Sequence, residues 1–145
     1  RGLGDVYKRQ VNIATMEALP TTTDAHDLIL VDTPPSAGDL MFQACRIADL
    51  IIIPTATSGP DISRTWVTMD ATQGTPRAIL LTQTEHNRVV YRQARTALAA
   101  DDTVVRLDHD IPRRESIRTA WGTNPPDDVI TYYLPVLNEL MEALS

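Results

Sequence analysis

Three short apolar runs stand out in the sequence: LILV at 28–31, LIII at 50–53 and AILL at 78–81. Each is too short for most helices and is built from strand-forming residues. Each is also continuous, without the alternation of a sheet that has one wet face. Continuous apolar strands belong to parallel sheets covered on both faces. Helix-like stretches lie between the runs, and a strand–helix–strand order with right-handed crossovers satisfies that requirement. The expected fold class is therefore α/β, a mostly parallel sheet with helices on both faces.

The punctuation supports this order. Helices are expected over 38–48, from Pro60-Asp61 to about Ala71, over 87–100, over 114–120 and from a cap at Asp127 to the C-terminus. Pro135 is expected to kink or split the last of these. Strands are expected at 11–16, at the three apolar runs and at 103–107, with Pro54 stopping the second run. Residues 17–25 read as a connection. Gly74-Thr75-Pro76 reads as a turn.

Chemistry is expected where the strands end. The run at 28–31 stops at Asp32, followed by Thr33-Pro34-Pro35-Ser36. A carboxylate at the C-terminal end of a buried strand, followed by a stiff polar turn, is where open α/β sheets place ligands. Asp32 also suits a plain turn-capping role. Thr82-Gln83 and Pro112-Arg113 follow two later strands. Arg88, Arg92 and Arg95, at i, i+4 and i+7, are expected on one helix face. That face could bind phosphates or simply be solvated. Arg113, Arg114 and Arg118 form a second basic group. His26, His86 and His109 show no metal-ligand spacing.

VDTPPS at 31–36 followed by ADLIIIPT at 48–55 resembles the ParA/MinD family of deviant Walker P-loop ATPases, and most closely the small ParA-like partition ATPases. The resemblance spans 11–145. It implies a P-loop NTPase-like fold, ATP and Mg²⁺ as cofactors, and a role in plasmid or chromosome segregation. Asp32 would be the Walker B residue that holds the metal, through which it serves catalysis. Thr33 and Pro34 would belong to the nucleotide-sensing switch. Gln83, with Pro112 and Arg113, would hold the adenine, although the family usually has asparagine at the first position. Arg88, Arg92 and Arg95 would bind DNA non-specifically. The implied partners are a second copy of the chain, DNA and a ParB-like stimulating protein, with no membrane. The implied location is the nucleoid-associated cytoplasm.

The family's phosphate loop is missing. No G-x-x-x-x-G-K-[ST] occurs, and Lys8 is the only lysine. Residues 1–10 are expected to be a non-native tail, and 11–145 the C-terminal portion of the ATPase domain, truncated before the P-loop. The lysines of that loop stabilise transition-state charge. Without them, the chain as given is not expected to hydrolyse ATP at a useful rate. The alternatives are a non-catalytic binding module of the same fold and a MinD-like cell-division ATPase. The last helix has no basic face for a membrane. A net charge of −6 leaves DNA affinity to local basic patches. Cys45 is alone, which rules out an internal disulfide.

Overall fold

A computed structural model describes residues 28–33, 38–120 and 124–144. The chain divides into two units, Arg1–Ile47 and Ala48–Ser145. The expected tail at 1–10, the strand at 11–16, the connection at 17–25 and Pro34 lie outside the described residues.

In the first unit, residues 28–33 take no regular secondary structure and are exposed. The strand expected at 28–31 is therefore absent, and Leu30 is 75% exposed. A strand needs a ladder partner, and no described residue supplies one. Helix α1 spans Asp39–Ile47, with Asp39 in its first turn and Ala44 buried. Phe42 N–H donates to Gly38 C=O, so the glycine stands just outside the helix.

The second unit is built on β1 (Ile51–Thr55) and β2 (Arg77–Leu81), paired in parallel with Ile53 opposite Ile79. Pro54 does not stop β1; it lies inside it, opposite Leu80. Proline is tolerated where its missing N–H is not needed by the ladder, as on an edge. Beyond β2, residues 103–107 form less than a full strand. Only Arg106 bridges to Ile79, yet Ile79 N–H donates to Val105 C=O (2.9 Å) and Leu107 N–H to Ile79 C=O (2.9 Å).

Helix α2 (Gly59–Ala71) starts where expected, with Pro60 in its first turn and Ser58 Oγ accepting from Asp61 N–H. Helix α3 spans Val89–Ala99 and α4 spans Glu115–Thr119. Helix α5 runs Asp127–Ala143 without a break at Pro135. Val129, Val136 and Leu140 are buried along it, so packing holds both sides of the proline. Pro126 occupies the cap position assigned from sequence to Asp127, which instead sits in the first turn. No helix among the described residues is long and apolar enough to cross a membrane.

The continuous apolar runs now have a physical account. Ile53, Ile79 and Leu81 face one core with Ile62 and Met69 of α2 and Tyr91, Ala94 and Leu98 of α3. Their neighbours Ala78 and Leu80 face a second core with Leu107, Ile111 and, from α5, Val136 and Leu140. Helices cover both faces, so both sets of side chains must be apolar. At the end of β1, the buried hydroxyls of Thr55 and Thr65 share a 2.8 Å hydrogen bond that ties the strand to α2. Ile79 is fully buried at the centre. Ile79→Ala should destabilise the unit by about 2–5 kcal/mol, read from urea denaturation.

Candidate functional site

The bridge of Arg106 to Ile79 is parallel, so the segment at 103–107 runs in the direction of β2 and the loops that follow the two emerge side by side. The knitting continues past the strands. Thr82 N–H donates to Thr55 C=O, Ile111 N–H to Leu81 C=O, Thr84 N–H to Ile111 C=O and Arg113 N–H to Thr84 C=O, all at 2.8–3.1 Å. Gln83 is the residue between two anchored neighbours, and it takes φ +52°. That left-handed conformation costs a non-glycine residue about 1–2 kcal/mol. It persists because the bonds on either side fix the path of the chain.

These loops, with one side of α3, α4 and α5, line an open cleft of about 1770 Å³. Gln83, Pro112 and Arg113, expected as a group from sequence, all line it. Thr33 and Asp32 belong to the first unit and are exposed there. Among the described residues no group of three or more His, Cys, Asp or Glu side chains could hold a metal. A nucleotide-bound Mg²⁺ asks for only one or two protein carboxylates.

The three arginines of the expected DNA-binding face divide. Arg88 stands before the first turn of α3, and its Nε–H donates to Glu85 (3.2 Å). Arg95 lies against Tyr91, where Nη1–H donates to Tyr91 Oη (3.0 Å) and the guanidinium lies 5.8 Å from that ring's centroid. The bond to Tyr91 raises Arg95 above its already high pKa, against the opposing effect of partial burial. Both line the cleft; Arg92 is exposed and does not.

The structure also shows a cluster that the sequence did not single out. The Asp110 side chain is only 7% exposed. Its carboxylate accepts from Tyr91 Oη–H (2.8 Å), His86 Nε2–H (2.9 Å) and Thr84 Oγ1–H (3.1 Å). The His86 ring stacks on Tyr91 at 4.6 Å. Burying a carboxylate is unfavourable unless its lone pairs are satisfied, and three donors from two elements do so. The preceding residues are held from the opposite side. Glu139 of α5 accepts from the backbone N–H of Asp108 (2.6 Å) and His109 (3.1 Å), and from His109 Nδ1–H (3.0 Å). At the cleft rim Glu115 is held below its usual range by its hydrogen bonds from Arg118, which is raised in turn.

No protein-family profile and no curated protein matches the chain. Among solved structures it is similar to a Borrelia burgdorferi B31 protein assigned to plasmid partition, in a crystal structure bound to AMPPNP. The TM-score is 0.52 at 18% identity, covering 72% of this chain and 43% of that one. This chain thus spans less than half of that protein's length. At this identity the likeness concerns the fold alone, an α/β arrangement with parallel strands.

The Glu139 tie is pH-dependent. Burial alone would raise the Glu139 pKa, but the backbone donors of Asp108 and His109 and the His109 ring outweigh it and hold the carboxyl below 4.5. A depressed pKa stabilises the fold above the unfolded value and ceases to do so as pH falls through the lowered one. Glu139→Gln should therefore lower stability by about 1–2 kcal/mol at neutral pH. In thermal melts the difference from wild type should shrink below about pH 4.5.

Proposed function

We propose that this chain carries the base-binding wall of a ParA-like partition ATPase and takes adenine nucleotide in the cleft after β2. The observation that carries the reading is the meeting of Gln83, Pro112 and Arg113 at the C-terminal ends of neighbouring parallel strands. Ligands of open α/β sheets bind at those ends. The Gln83 amide both donates and accepts, as the edge of adenine does. Pro112 offers an apolar surface to a ring. Arg113 is 71% exposed and pairs with Glu85 at 3.5 Å, where an anionic ligand could compete for it. The cleft exceeds the roughly 300–1000 Å³ of ordinary ligand pockets, leaving ample room for a nucleotide. The partition protein of similar fold was crystallised with AMPPNP, an ATP analogue.

The rest of the reading follows the same resemblance. Asp32, with Thr33 and Pro34 beside it, would hold the nucleotide's Mg²⁺ through water. The whole protein would form a homodimer, bind DNA without sequence preference and answer to a ParB-like partner on the nucleoid in the cytoplasm. Arg92, which faces solvent on α3, and Arg88 at its start are the candidate phosphate contacts; Arg95 is engaged with Tyr91.

Titration with a fluorescent ATP analogue and Mg²⁺ tests the cleft. Gln83→Gly removes the side chain and relieves the positive φ, so nucleotide affinity should fall about tenfold while the melting temperature holds or rises. Asp32→Ala should remove the Mg²⁺ dependence of binding. Absence of binding, or binding indifferent to Gln83→Gly, would refute the assignment. For DNA, Arg92→Ala should weaken binding across all sequences and reduce the salt slope by about one.

A further inference from the structure

We infer that Asp110 is the positioning residue that couples the two loops of the cleft, so that Gln83 and Pro112 present a single rigid wall. The inference rests on the nucleotide reading given above. Thr84 follows Gln83, and Ile111 and Pro112 follow Asp110. The Thr84 side chain donates to the Asp110 carboxylate while the backbones of Thr84 and Pro112 bridge. His86, two residues further along the first loop, donates to the same carboxylate. Tyr91 Oη–H donates from α3, and Arg95 donates to that Oη in turn. One buried acceptor thus gathers the β2 loop and the first turn of α3 onto the loop at 108–113.

An ionised carboxylate suits this role. It offers only acceptors, and all three partners meet it with a donor. An asparagine of equal size would turn an N–H₂ toward at least one of them. Thr84, His86, Tyr91 and Asp110 line the same cleft as Gln83, and the hub would act through Gln83, whose left-handed backbone needs both neighbours fixed. Loosening the hub should therefore blur recognition of the base before it affects the phosphate chain.

Asp110→Asn and Tyr91→Phe, each in the full chain, test this with two readouts. The first is amide hydrogen exchange over 82–88 and 108–113, compared with 77–81 in β2. The second is affinity for AMPPNP against its guanine counterpart and against inorganic tripolyphosphate. Coupling predicts exchange at least about tenfold faster in both loops with β2 still protected. It also predicts loss of the adenine preference in both variants, with tripolyphosphate binding unchanged. Loops as protected as in wild type would overturn the inference. So would exchange that rises equally in β2 for both variants, which marks a merely structural carboxylate. If the wild-type chain shows no adenine preference, the proposed function fails, and the exchange comparison alone decides the coupling.

Discussion

Ile79 is the residue on which the second unit depends. Its backbone N–H and C=O are both spent on residues 105 and 107, while its strand pairs with β1 on the other side. Its side chain is fully buried between the sheet and helices α2 and α3. A strand hydrogen-bonded on both edges and covered on both faces has no solvent-facing group to relax. Everything that follows β2 therefore starts from a fixed point. The positions of Thr82, Gln83 and Thr84 are consequences of that anchoring and not of loop composition.

The fold was legible where local rules and tertiary packing agree. The Pro60-Asp61 opening of α2, the apolar run at 78–81 and the helices at α3 and α5 were each stated locally. Pro54 misled because its rule concerns the hydrogen-bonding side it faces, which no sequence window reveals. The run at 28–31 misled for a related reason: apolar residues with strand propensity make a strand only if another supplies the ladder. The shortened strand at 103–107 shows the same dependence, since pairing is confined to the few residues that reach Ile79.

Legibility of the site was uneven. Gln83, Pro112 and Arg113 could be grouped because each follows a strand, and strand ends of a parallel sheet converge. The Asp110 cluster could not be found that way. Its contacts join residues 19–26 positions apart, and its members have no common spacing. The only hint was a run of three polar residues, Asp108-His109-Asp110, between the apolar Leu107 and Ile111. The arginines on α3 show the converse. Arg88 stands before the helix and pairs with Glu85, Arg95 is held by Tyr91, and the single face expected from their spacing is divided.

Residues 108–110 are gripped from two directions at once. Glu139 of α5 holds the first two, and the donors of the β2 loop and α3 hold the third. Three successive residues are thereby tied to elements on both sides. A rearrangement at this rim would have to break the contacts to α5 or those to the β2 loop and α3.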